Sequence, residues 1–181
     1  MTVPGGKKAS RGSLQTPLLR PEPSEITYKT AKFLITDRPT DQKIQEYIAE
    51  LQKHGVKEVV RVCEPTYGTG AIEEKGIRVH DLMFSDGSTP PTEILSEWFS
   101  LLSNTYKAHP GSCVAVHCVA GLGRAPVLVA VALIELGMKY EDAVELIRGK
   151  RRGAINAKQL AYLQHYKPRG RLRERQSCAC M

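Results

Sequence analysis

Two rhythms of apolar residues alternate along the chain. Short runs rich in β-branched and aromatic residues occur at Ile26–Tyr28, Phe33–Ile35, Val59–Cys63, Ile77–His80 and Cys113–His117. Runs of this kind predict strands, most of them buried. Between them the spacing changes to that of a helix face. Ile44, Tyr47, Ile48 and Leu51 recur at i, i+3, i+4 and i+7, behind Thr40 as a cap and Asp41 in the first turn, with Gly55 as a stop. Pro90 and Pro91 suit the first turn of a helix running through Ile94, Leu95, Trp98, Leu101 and Leu102. From Ala125 to Leu136 the chain is apolar almost all round, which predicts a helix enclosed by the fold. Tyr140, Ala143, Val144 and Ile147 mark another helix face. Asn156 with Gln159 three residues on forms a capping box opening a last helix through Leu160 and Leu163. Strands alternating with helices predict an α/β fold, a mostly parallel central sheet flanked by helices on both faces.

Composition divides the 181 residues into three parts. Residues 1–25, rich in Pro, Gly, Ser and bases, read as a disordered basic arm. Residues 26–168 carry the pattern of a single domain, and residues 169–181 form a polybasic tail. The net charge of +7 sits mostly in those ends: Lys7, Lys8, Arg11 and Arg20 in the arm, and Lys167, Arg169, Arg171, Arg173 and Arg175 at the C-terminus. A nearly neutral domain with basic ends, and no recognised nucleic-acid motif, argues against a nucleic-acid partner. No apolar stretch reaches the ~18 residues of a membrane span, and no apolar h-region marks a secretory signal. Reduced thiols in the cytosol are therefore expected for the five cysteines, Cys63, Cys113, Cys118, Cys178 and Cys180. They form no CxxC pair or Cys/His ligand set, so neither zinc nor another cofactor is expected.

The chemistry concentrates in HCVAGLGRAP, residues 117–126, where a buried strand enters and an apolar helix leaves. Five residues separate Cys118 from Arg124, and Gly121 and Gly123 lie among them. Glycines let the backbone of Val119, Ala120, Gly121, Leu122 and Gly123 curl with its N–H groups inward, at the start of a helix. Such a ring is a phosphate cradle. Arg124 adds a two-pronged donor for phosphate oxygens. Cys118 at the bottom, its thiolate favoured by the same donors, is placed for in-line attack on phosphorus. The competing reading is a Gly-rich turn with an inert cysteine. A Walker A loop is excluded because no GK[ST] follows the glycines.

The loop HCVAGLGRAPV, with FLITDRP (33–39), VVRVCEP (59–65), KRRGAIN (150–156) and a C-terminal prenylation box, resembles the phosphatases of regenerating liver. These are a branch of the dual-specificity protein tyrosine phosphatases, and the resemblance covers about residues 26–175. Low-molecular-weight tyrosine phosphatases share the Cys and Arg spacing but carry it near the N-terminus, whereas here it lies past the middle. The resemblance implies a dual-specificity-phosphatase-like fold and hydrolysis of phosphomonoesters through a phosphocysteine on Cys118, with Asp86 as general acid. Asp81 is the runner-up acid, and Asp86-Gly87 also reads as a plain turn. The family's usual Trp-Pro is replaced here by Leu82-Met83. Most tyrosine phosphatases carry Ser or Thr after the loop Arg. Ala125 has no hydroxyl to help the thiolate leave, so slow turnover is expected. Cys63 matches a cysteine that pairs reversibly with the nucleophile in this family; on its own it reads as a small buried hydrophobe. Cys113 reads as core, and His117 as orienting the loop.

The last four residues, Cys178-Ala179-Cys180-Met181, form a CaaX box in which Met favours farnesyl on Cys178. The basic stretch before it supplies the second membrane signal that one lipid chain requires. By resemblance the protein is expected at the cytoplasmic face of the plasma membrane and endosomes, and in the cytoplasm when unprenylated. Expected partners are phosphoprotein or phosphoinositide substrates, anionic membrane, cyclin-M-type magnesium transporters bound through the catalytic face, and a homotrimer. An enzyme and a partner-binding module both fit the loop.

Overall fold

The computed structural model describes residues 22–172. Five strands form its sheet: β1 (Ser24–Tyr28), β2 (Ala31–Thr36), β3 (Val56–Arg61), β4 (Arg78–Asp81) and β5 (Cys113–His117). Their order is β1-β2-β5-β3-β4. β1 runs antiparallel to β2, and the other neighbours are parallel. The helices are α1 (Ile44–Lys53), α2 (Gly70–Glu73), α3 (Thr92–Ala108), α4 (Arg124–Glu135), α5 (Tyr140–Lys150) and α6 (Ala157–His165).

The period-two alternation of the central strands creates two cores. Val114 and Val116 of β5 face one side with Phe33, Ile35 and Val60, against α3, α4, α5 and α6. Cys113 and Ala115 face the other with Leu34, Val56 and Val59, against Ile48 and Leu51 of α1 and Ile72 of α2. The expected sheet with helices on both faces is thus observed. α4 is buried along its whole length, from Arg124 to Glu135. Trp98 of α3, itself fully buried, donates its indole N–H to the Leu128 carbonyl of α4 at 3.1 Å.

Several boundaries differ from the sequence pattern. β1 begins at Ser24, so Ser24 and Glu25, expected in the arm, pair with Ile35 and Leu34. The Ser24 hydroxyl also donates to the Lys150 carbonyl at 3.2 Å. β3 starts at Val56 and stops at Arg61, which leaves Cys63 two residues beyond it. Thr40 makes no side-chain cap; a 3-10 turn at Asp41–Lys43 precedes α1. Pro91 is the N-cap of α3. α2 was not predicted because one turn offers no periodicity to read. Arg169 and Arg171, placed by sequence in the tail, anchor their backbone on Glu135. That buried carboxylate accepts from Arg169 N at 3.1 Å, Arg171 N at 2.8 Å and the Tyr166 hydroxyl at 2.6 Å. Burial alone would raise the Glu135 carboxyl, but these donors outweigh it and hold it below its usual range.

The strand ends that carry the loop meet at a buried junction. Tyr67 O–H donates to His117 Nε2 at 2.6 Å, and His117 Nδ1–H donates to the Cys118 carbonyl at 3.2 Å. Arg61 grips Asp81 at 2.6 and 2.8 Å, donates to the Tyr67 carbonyl at 3.0 Å and lies over the Tyr67 ring. Burial pushes the His117 imidazole down to about 4, with the Cys118 carbonyl opposing and Arg61 and Arg38 assisting. His117 is therefore neutral in the fold, while an unfolded His titrates near 6.5. The stability this contributes is complete above pH 6.5 and is lost as pH falls toward 4. From pH 7 to pH 5 the loss attributable to His117 is about 2 kcal/mol, at 1.36 kcal/mol per unit. Urea unfolding of the parent and of His117→Asn at pH 7, 6 and 5 measures it: the parent should lose about that much more than the variant.

Candidate active site

Between β5 and α4, residues 118–123 form a loop whose six carbonyls all have donors outside it. His117 Nδ1 serves Cys118 O at 3.2 Å, and Arg38 N serves Val119 O at 3.1 Å. Arg151 Nη2 serves Ala120 O at 3.0 Å and Arg151 Nε serves Gly121 O at 2.6 Å. Ile155 N serves Leu122 O at 2.8 Å, and Val127 N serves Gly123 O at 3.1 Å. No peptide bond here is cis. In a trans peptide the N–H points opposite to the carbonyl that precedes it. Outward carbonyls therefore turn the N–H groups of residues 119–124 inward, into a ring at the start of α4. Gly121 is required on two counts. Its φ is +66°, and a Cβ there would collide with the Arg151 guanidinium and the Thr36 carbonyl.

Cys118, which opens the loop, is 3 % exposed, while Val119 and Ala120 after it are exposed. Arg124, also 3 % exposed, leaves the first turn of α4 and donates through Nη1 to the Phe84 carbonyl at 3.2 Å. Asp86 Oδ1 lies 3.2 Å from Arg124 Nε, a charge contact without hydrogen-bond alignment, so Nε is buried with no acceptor. A buried donor left so is costly, and an anionic oxygen presented at the ring would satisfy it. The Asp86 side chain is 81 % exposed, on the loop between β4 and α3. That loop is tied to α6: Asn156 Nδ2 donates to Gly87 O at 3.2 Å and Gln159 Nε2 to Ser88 O at 3.0 Å. The same two side chains make the capping box of α6. Of the two carboxylates considered, Asp81 is taken by Arg61, and Asp86 faces Arg124.

Cys63 is fully buried, and burial pushes its thiol up despite Arg124 nearby; Cys118 is close enough for its charge to act on it. Cys63, Cys113 and Cys118 are free thiols. Burial in the α1-side core pushes Cys113 up to about 12. Ala125 is fully buried behind Arg124. Cys178 lies outside the described residues. Sequence reasoning missed Arg151, Ile155, and the second task of Asn156 and Gln159. Ile155 adopts φ +65°, rare for a β-branched residue, and this conformation accompanies the bond from its N–H to Leu122 O.

Comparison with known proteins agrees with this geometry. A family model described as a polymorphic toxin system DSP-PTPase phosphatase matches residues 36–138. The "PRL-1 phosphatase" of Drosophila melanogaster is 62 % identical over 87 % of this chain and 89 % of its own. "Protein tyrosine phosphatase type IVA 3" of Bos taurus is 58 % identical over 85 % of this chain and 89 % of its own. A putative protein tyrosine phosphatase from Leishmania major superposes with a TM-score of 0.73 at 40 % identity, covering 81 % of this chain and 99 % of that one. Identity at this level over most of both chains means that the chain belongs to the protein tyrosine phosphatase type IVA family, the PRL phosphatases, and is a phosphatase of the dual-specificity protein tyrosine kind.

Proposed function

We propose that hydrolysis proceeds through a phosphocysteine on Cys118. The observation that carries this is the ring of inward N–H groups above a buried Cys118, beside the acceptor-less Nε of Arg124. Non-bridging phosphate oxygens would accept from the ring and from Arg124. The Cys118 sulfur attacks phosphorus as the bond to the leaving oxygen breaks, and Asp86 gives that oxygen its proton. Water then attacks the phosphocysteine, Asp86 takes a proton back, and the S–P bond breaks to free phosphate. Ala125 leaves the departing thiolate without a hydroxyl donor, so this second step limits turnover.

A redox and a membrane component complete the reading. With peroxide as two-electron oxidant, the Cys63 and Cys118 thiols would join as a disulfide while peroxide is reduced to water, shielding Cys118 from higher oxidation. Farnesyl on Cys178 and the Arg-rich tail would hold the protein at an anionic cytoplasmic membrane face, where phosphoproteins or phosphoinositides are accessible. The Glu135 clamp on Arg169 and Arg171 supports this by fixing where the tail leaves the domain. A partner-binding role has its own support: Met83 and Val119, exposed by 48 % and 46 %, give the loop region an apolar character. Cyclin-M-type transporters, or further copies of the chain in a homotrimer, are the partners proposed.

Steady-state kinetics on an alkyl phosphate test the chemistry. Cys118→Ser should abolish turnover, and Asp86→Ala should lower kcat by about 100-fold. Ala125→Ser should raise kcat by about tenfold if its hydroxyl contributes roughly 1.4 kcal/mol to thiolate departure. Unchanged or lower turnover in Ala125→Ser contradicts the assigned slow step. After peroxide treatment, thiol reductant should restore the parent but not Cys63→Ser; equal recovery of the two argues against the disulfide. In cells, Cys178→Ser should move the protein from the membrane fraction to the soluble one, and an unaltered distribution would rule out the lipid anchor.

A further inference from the structure

Arg151 follows α5, far in sequence from the loop it touches, and is 1 % exposed between the basic neighbours Lys150 and Arg152, both exposed. Its guanidinium donates to five neutral oxygens on three chain segments. Nε and Nη2 hold Gly121 O at 2.6 Å and Ala120 O at 3.0 Å. Nη1 reaches Glu22 O at 3.0 Å, Ser24 Oγ at 3.3 Å and Ile35 O at 3.3 Å. Packing hydrophobic side chains behind the loop would fill this space without the desolvation a buried cation costs. A cation here is therefore informative. Burial works against its charge, and the groups whose charge favours it are Asp37 and Cys118.

We propose that Arg151 is a positioning residue of the phosphatase reaction, fixing the Gly121 and Leu122 N–H groups toward the phosphate and supporting the Cys118 thiolate from behind the loop. The geometry follows from the peptide plane. With Ala120 O and Gly121 O held outward, the N–H groups of the next residues have one direction left. A planar fork holds two successive carbonyls in a fixed register from two separate nitrogens, whereas the three donors of an ammonium radiate from one rotatable nitrogen and set no such register. The close approach of the fork, together with the Thr36 carbonyl, also excludes a Cβ at Gly121. Through Glu22 O and Ser24 Oγ the same side chain ties the start of β1 to the loop. This assignment rests on the phosphocysteine reading. Charged or titratable groups around the loop, acting on Cys63, His117, Arg124 or Arg151, include His117, Arg38, Asp37, Cys63, Glu64, Asp86 and Arg124, and none of them is altered in the test.

The full chain, Arg151→Lys and Arg151→Met are compared under a phosphine reductant. Three readouts are taken: thermal unfolding, inhibition by orthovanadate, and the pH profile of Cys118 alkylation by iodoacetamide, followed by peptide mass. Arg151→Met should bind vanadate about tenfold more weakly, the equivalent of a charge-assisted hydrogen bond, and its alkylation midpoint should rise by about half a pH unit or more. Arg151→Lys keeps the charge and loses the fork. Its midpoint should stay nearer the parent's while its vanadate affinity still falls by about threefold or more. A structural role alone would lower the melting temperature and leave the midpoint where it was. Should Arg151→Met not fold, Arg151→Lys decides on vanadate. Folded variants that match a vanadate-binding parent in affinity and midpoint overturn the role of Arg151 alone. A parent that neither hydrolyses an aryl phosphate nor binds vanadate overturns the phosphocysteine reading, and this assignment with it.

Discussion

Six consecutive carbonyls, from Cys118 to Gly123, are each held by a donor outside their own loop, and the remaining features of the site follow from that constraint. A peptide group cannot present its oxygen and its N–H to the same side. Anchoring the oxygens outward therefore builds an inward ring of donors without any side chain entering it. The donors come from parts of the chain far apart in sequence: the end of β5, the segment after β2, the segment after α5, and α4 itself. The loop is thus shaped by the whole α/β fold. A short Gly-rich sequence could not hold this shape alone, since Gly loses more conformational freedom on ordering than any other residue.

The second organising element is Arg124, which belongs to both walls of the site. It leaves α4 beside the ring, donates to Phe84 O and faces Asp86. Asn156 and Gln159 reinforce the same wall while capping α6, so one pair of side chains stabilises a helix start and ties down the loop that carries Asp86. Leu82 and Phe84 pack into the core on either side of exposed Met83, which anchors that loop at its base. Asp86 remains exposed at the tip. An acid on an exposed tip can approach a leaving group, whereas Asp81, gripped by Arg61 through two hydrogen bonds, cannot do so without breaking them.

Legibility in the sequence followed the range of the interaction. Cys118, Arg124 and the two glycines lie within one short segment, so their spacing was readable. The enclosed α4 and the capping box at Asn156 are equally local patterns, and both are found where the pattern placed them. Arg151 was not readable. Lys150, Arg151 and Arg152 look alike in sequence as a solvated basic run, and only the fold buries the middle one. Ile155 gave no signal because a positive φ is expected of Gly or Asn and not of a β-branched residue. Cys63 was placed at a strand end by its β-branched neighbours, yet β3 stops at Arg61. Val62 N still bonds His117 O at 3.0 Å before the chain turns away.

Covalent catalysis by Cys118 is open to intact-protein mass measurement after reduced protein is mixed once with an aryl phosphate and quenched in acid within seconds. One phosphoryl group on Cys118, decaying slowly and absent from Cys118→Ser, is the expected result. Product released with no adduct at any time point, or an adduct that persists in Cys118→Ser, would contradict it.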